Sequence, residues 1–275
     1  MKRRLNGPLL VFGGPYSNLE ALKAMREIAD MRGLTPEQCL CTGDVVAYCA
    51  DAKACVDEIR NWGVPVVMGN CEESLAEGAS DCGCGFEEGT ACDLLSKQWF
   101  DYASQQITQD DRNWMAGLPR QIDYSYAPFR LKAIHGGVDE INRFVFASQK
   151  MIISEELLKA DVDIVLAGHC GLPFYQKVGD QHWINAGVIG MPANDAQPRS
   201  WYCLIEPDEN GLDVSFHQLA YNHERSAEKM RQAELGEGYA TALETGLWPN
   251  LDVLPELEKK RTGQALSFNR FRINP

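Results

Sequence analysis

The chain has 275 residues, of which 45% are hydrophobic and 24% charged, with a formal net charge of −13. That length can bury a large core as one α/β domain with small additions, and the acidic balance argues against broad electrostatic capture of nucleic acid or an anionic membrane surface. No stretch approaches the ~18 consecutive apolar residues of a membrane span.

Met1-Lys2-Arg3-Arg4 followed by Pro8 to Phe12 imitates an export signal, but the apolar run is short and meets Gly13-Gly14-Pro15. It reads as a first strand, Leu9 to Phe12, which places the protein in the cytoplasm with its ten cysteines mostly reduced. Ser17 or Asn18 then caps a helix whose apolar positions Leu19, Leu22, Met25, Ile28 and Ala29 recur at helical spacing up to Arg32, with Gly33 as the stop. Cys39 to Thr42 is a second strand, Ala52 to Trp62 a helix and Val64 to Met68 a third strand, so the sheet begins with parallel crossovers. From Asn70 to Leu118 the rhythm breaks. The glycine-rich stretch Asp81 to Cys92 is a loop, followed by helices over Asp93 to Gln106 and Asp110 to Ala116, and the segment about 71–118 reads as a cap or insertion.

From Arg120 the pattern turns to β. Gln121 to Tyr126 and Phe129 to Ile134 form a hairpin, Ser154-Glu155-Glu156-Leu157 opens a short helix, and Val162 to Leu166 is a buried strand. Short strands follow at Tyr175 to Val178 and His182 to Ile184, then a loop from Asn185 to Arg199 and strands at Trp201 to Ile205 and Val214 to Leu219. A polar helix from about Glu224 to Leu235 and a proline-broken tail lie over the body. Parallel α/β units first and antiparallel β later point to an α/β protein with two mixed sheets face to face between helices. Its main domain is 1–220, with a helical extension over 221–275.

Four strand ends share one form, an apolar run and then a glycine beside a metal-competent side chain: Gly43-Asp44, Gly69-Asn70, His135-Gly136 and Gly168-His169. A lone His after a strand is more often packing than a ligand, and a lone Gly-Asp is more often a turn. Four endings together supply oxygen and nitrogen donors suited to a borderline divalent cation such as Mn, Fe or Zn. Cys39, Cys41, Cys55 and Cys203 sit where cysteine is usually a small buried hydrophobe, whereas Cys49, Cys71, Cys82, Cys84, Cys92 and Cys170 lie in or near loops. Free thiols, or a pairing through Cys92, are expected over a short Cys82–Cys84 bridge.

These strings resemble the calcineurin-like metallophosphoesterases, particularly the small bacterial and archaeal branch of phosphodiesterases and dinucleoside-polyphosphate hydrolases. Asn18-Leu19-Glu20 after the first strand, Gly43-Asp44-Val45-Val46, Gly69-Asn70, His135-Gly136, Gly168-His169 and Asn185-Ala186-Gly187 run in the family's order. The resemblance implies a four-layer αββα sandwich and a site in which two cations clamp a phosphoryl group and activate water. It makes Asp44 the bridging carboxylate and assigns Asn70, His135 and His169 as further ligands, with Asp44 and His135 also in catalytic roles. It departs in one region: Gly14 and Tyr16 stand where the first Asp and His belong, and Gly171 where the last His belongs. All three absences fall on one metal. Cys71 replaces the His expected beside the leaving group, which makes it a catalytic candidate.

Three readings follow. One is a phosphoesterase with at least one divalent ion on Asp44, Asn70, His135 and His169, acting on a small phosphorylated substrate and on neither nucleic-acid polymer nor membrane. Another is a rebuilt site in which Cys71 and Cys170, with Cys82, Cys84 or Cys49, recruit a second, softer ion. The third is a non-catalytic descendant that binds a metal or nucleotide. Tyr16, Asn194 and Arg199 are substrate-binding candidates, against packing or solvation as the commoner fates of such residues.

Overall fold

The computed structural model describes residues 2–85, 89, 91–126 and 128–275, the side chains of 2, 3 and 91–94 excepted. The strands are β1 (Lys2–Arg4), β2 (Leu9–Phe12), β3 (Cys39–Cys41), β4 (Gln121–Tyr126), β5 (Phe129–Ile134) and β6 (Ile164–Ala167). They continue with β7 (Pro173–Val178), β8 (Gln181–Ala186), β9 (Ser200–Asp208), β10 (Gly211–Leu219) and β11 (Phe271–Ile273). The helices are α1 (Leu19–Met31), α2 (Ala52–Trp62), α3 (Asn70–Glu77), α4 (Ala91–Gln106) and α5 (Gln109–Ala116), then α6 (Lys150–Ala160), α7 (His223–Gln232), α8 (Glu237–Thr245) and α9 (Glu256–Lys259). None of them, among the described residues, is long and apolar enough to cross a membrane.

Two mixed sheets form, one in the order β1-β4-β5-β6-β8-β7 and the other β11-β10-β9-β2-β3. Strand alternation explains how they stack. In β2, Leu9 and Val11 face a central core that also holds Leu131, Ile164, Ile184 and Val214, while Leu10 and Phe12 face the opposite way. That outer face packs on Leu22 and Met25 of α1, Val56 and Ile59 of α2, and Leu243 of α8. On the far side, Val165 and Trp183 of the larger sheet meet Ile153 and Leu157 of α6. Three separate cores therefore lie between four layers, which is the αββα sandwich.

Local signals set most boundaries. Asn18 accepts a hydrogen bond from Ala21 N at 3.2 Å and so caps α1. Gly63 ends α2 in the left-handed conformation, φ 78°. Three expectations are corrected. Val64 to Met68 touches β3 at the single bridge Cys41–Val66, because Pro65 has no N–H and Met68 N turns away to Pro119 O at 2.8 Å. The helix expected to open at Ser154 begins at Lys150, which brings Ile153 into the third core. Cys82 is joined to Cys84, with Cα atoms 5.4 Å apart, and the Cys92 side chain lies outside the described residues. The extension also does more than lie over the body, since β11 pairs with β10 and adds an edge strand.

Candidate metal centre

The four strand-end residues come together where the two sheets meet. Asp44 follows β3, Asn70 opens α3, His135 follows β5 and His169 follows β6. All four are at most 6% exposed. His135 is central. Its Nδ1 lies 2.6 Å from Thr42 O, a carbonyl that can only accept, so Nδ1 carries a proton and Nε2 is the ring nitrogen turned inward. Around that Nε2 stand Asn70 Oδ1 at 3.1 Å, His169 Nδ1 at 3.1 Å and Asp44 Oδ2 at 3.2 Å.

These four atoms fit a cation. Burial would lower the His135 imidazole, but Asp44 raises it above its ordinary value, so Nε2 can hold a proton directed at Asp44, and a cation at that point would take the proton's place. Ligand atoms each about 2.1 Å from one ion stand about 3.0–3.4 Å from one another, which is the spacing of the three atoms from His135 Nε2. Asp44, His135 and His169 thus form a buried group able to hold a divalent ion. Burial and the neighbouring His135 push His169 down to about 3, so its ring is neutral as a ligand must be. Burial alone would raise the Asp44 carboxyl, but the two imidazoles hold it below the ordinary carboxylate value.

The ligands are held by neighbours that sequence reasoning did not assign. Glu72, fully buried, accepts from the backbone N–H of Gly69, Asp44, Val45 and Val46 at 2.8–3.3 Å and clamps the turn carrying Asp44. Gly69 is required in that clamp, since a Cβ there would lie 2.3 Å from Asp44 Oδ1. Asn185 donates to Gly168 O at 2.7 Å and accepts from Gly187 N at 3.0 Å, fixing the turn of His169. Phe144 lies over the His169 ring, centroids 4.2 Å apart. Asn70 Nδ2 donates to Cys82 O at 2.8 Å and meets Cys84 Sγ at 3.3 Å, which orients Oδ1 toward His135. The only sign of Glu72 in the sequence was its place in Gly69-Asn70-Cys71-Glu72.

The other candidates are dispersed. Cys71 Sγ is buried beside Asp44 and Glu72, which with burial raise its thiol well above the ordinary value, and it does not line the adjoining cavity. Cys170 does line that cavity, but its sulfur receives the Asn185 amide at 3.2 Å, and burial pushes the thiol up to about 12. Neither sulfur belongs to the metal-competent group among the described residues. Cys49 is buried near Gly190 O. Asn194 holds the C-terminal segment, accepting from Trp248 N at 2.9 Å and donating to Thr262 Oγ1 at 3.1 Å. Arg199 pairs with Asp195 at 3.2 Å and lies over the Trp201 ring, away from the metal group's cavity. Tyr16 alone of the three substrate candidates lines it.

The positions without ligands are filled. A Cβ at Gly14 would lie 2.3 Å from the Tyr16 ring, and one at Gly171 would lie 3.1 Å from the Trp248 ring. Tyr16 and Trp248 stand where larger side chains at 14 and 171 would lie.

The chain is similar to known proteins over most of its length. An uncharacterized protein of Methanocaldococcus jannaschii is 23% identical over 247 residues, 83% of this chain and 94% of that protein. The crystal structure of a metallophosphoesterase from Sphaerobacter thermophilus matches 87% of this chain and 99% of its own, at 22% identity and a TM-score of 0.68. A hypothetical protein from Pyrococcus horikoshii OT3 matches 90% and 100%, at 16% identity and a TM-score of 0.73. No family profile matches the chain.

Proposed function

We propose that this chain, which has the fold of the calcineurin-like metallophosphoesterases, hydrolyses a phosphate ester or phosphoanhydride using one divalent cation on Asp44, Asn70, His135 and His169. The observation that carries this is the convergence of three donor atoms within 3.2 Å of His135 Nε2, with Nδ1 locked to Thr42 O. A cation there would polarise a phosphoryl oxygen and lower the pKa of bound water. In the reaction, water oxygen bonds to phosphorus, the bond from phosphorus to the leaving oxygen breaks, and that oxygen gains a proton.

The chain's own groups supply position and polarity. Thr42 and Asn185 fix the two imidazoles, and Glu72 fixes the carboxylate. Tyr16 on the cavity wall keeps its proton, because burial and then Asp44 raise its phenol well above the ordinary value. It is a neutral hydrogen-bond donor for an anionic substrate.

The test is a phosphoester panel with Mn, Fe or Zn, repeated with His135→Ala. Turnover in the parent and its loss in the variant are expected. A second reading, a module that binds metal without turnover, is favoured by the aromatic rings that stand against Gly14 and Gly171, and it would be supported by a folded, metal-loaded protein inert on every ester.

A further inference from the structure

Cys82 and Cys84 close their bridge against the amide of a metal-site residue. Asn70 Nδ2 donates to Cys82 O at 2.8 Å and stands 3.3 Å from Cys84 Sγ, while Asn70 Oδ1 faces His135 Nε2 at 3.1 Å. The turn between the cysteines is anchored on two further sides. Gly83 has φ 64°, and a Cβ there would lie 2.7 Å from Ser74 Oγ, so this left-handed turn sits directly on α3, the helix that Asn70 opens. Gly83 O accepts from Asn142 Nδ2 at 2.9 Å, and Gly83 N donates to Asp81 Oδ1 at 2.8 Å.

So short a bridge does little for the fold as a whole. With one residue between its cysteines it removes little freedom from the unfolded chain, because that stabilisation grows with the loop enclosed. What it fixes is local, the direction of the Cys82 carbonyl and the place of the Cys84 sulfur. Cys84 also lines the cavity beside Asp44 and His169, the side from which a small solute reaches the pair. The other cysteines with described side chains are free and buried, and burial raises each thiol above its ordinary value, which leaves it a poor nucleophile.

We propose that Cys82 and Cys84 form a reversible thiol–disulfide site that sets the metal affinity of the centre through Asn70, tight in the disulfide form and weak in the dithiol form. A small dithiol delivers two electrons and two protons: the S–S bond breaks, two S–H bonds form and the donor closes its own disulfide. Hydrogen peroxide reverses the step, its O–O bond breaking as the S–S bond forms, and two waters leave. Once two thiols replace the bond, the sulfurs move apart, and the carbonyl and sulfur that hold the Asn70 amide shift with them. Oδ1 is then no longer fixed toward His135. The proposal rests on the reading of Asn70 as a metal ligand.

Two measurements on the full-length protein keep the thiol chemistry and its coupling to the metal apart. Metal-free protein is treated with peroxide or with a dithiol, alkylated under denaturing conditions and mapped by peptide mass. Cys82 and Cys84 are expected to be joined after the first treatment and both alkylated after the second. Equilibrium dialysis against Mn²⁺, with the reagent removed, is expected to give a Kd at least about tenfold higher for the dithiol form, the effect of losing a partner that orients a ligand. Cys82→Ser/Cys84→Ser should bind like the dithiol form after either treatment. Asn70→Asp, which keeps an oxygen ligand and lacks the amide, should bind equally after both. Failure of the pair to join or to reopen, equal or tighter binding by the dithiol form, or a redox dependence that persists in Asn70→Asp would overturn the proposal and leave the metal site standing. Absence of Mn²⁺ binding in both forms would overturn the metal reading and the proposal together.

Discussion

Asp44 and His169 both hold positive φ, 57° and 60°, a region that costs a non-glycine residue about 1–3 kcal/mol. Each is kept there by a neighbour that satisfies the surrounding backbone, Glu72 for Asp44 and Asn185 for His169. Replacing Glu72 with Gln removes the charge that four N–H groups share and leaves at least one of them poorly satisfied. Stability to urea should fall by about 1–3 kcal/mol, with metal affinity falling alongside. Unchanged stability would mean that the clamp is dispensable. For the ligands themselves, Asp44→Ala and His169→Ala should each weaken metal binding by at least about 100-fold, with the circular dichroism of the fold retained. Elemental analysis should find one ion per chain in the parent and in Cys71→Ser and Cys170→Ser, because the described residues offer a single metal-competent group and neither sulfur belongs to it. Two ions in the parent, falling to one in a cysteine variant, would establish a thiolate site.

Among the elements, the insertion is tied to the sandwich by a polar joint between α2 and α5. Arg60 donates to Asp111 and Asp110, each at 2.9 Å, and Asp111 also closes the N-terminal box of α5 with Thr108. Burial would raise the Asp111 carboxyl, but Thr108, Lys53 and Arg60 together hold it below its ordinary value. A depressed folded-state pKa gives stability that is complete above the unfolded-state value and lost as pH falls toward the folded one. Asp111→Asn should therefore cost about 1–2 kcal/mol near neutral pH, after discounting for the partly exposed Arg60. The gap between parent and variant should close as the pH of a denaturation series drops below about 3.9. A gap independent of pH would assign the effect to packing or capping rather than charge.

Across the whole molecule, the 221–275 segment supplies residues to every layer: Leu235, Tyr239 and Leu243 to the first core, Ile273 to the central one and Leu254 to the third. It also brings Trp248 to the metal cavity. A segment shared among three cores should not melt separately, so calorimetry of the full chain should show one transition, and a chain ended at residue 220 should lose cooperative unfolding. Two resolved transitions would make the extension a separate unit.

The sequence by itself determined the metal-competent set and most of the elements. Asp44, Asn70, His135 and His169 are legible because each sits beside a glycine at the end of a short apolar run, a local pattern that strand geometry converts into side chains at one sheet edge. The hairpin of β4 and β5 and the helix α2 were equally local, set by alternation and by helical spacing ended at a glycine. The start of α6 and the loss of the Val64–Met68 strand depended on distant groups, the third core and the Pro119 carbonyl. So did the site's surroundings. Glu72 acts 28 residues from Asp44 N, and the Trp248 amide reaches Asn194 across 54 residues. Spacing along the chain carries no record of such contacts. Which side chains converge at the sheet edge was written in short strings, but what stands against Gly171 was decided only when the C-terminal segment folded back over it.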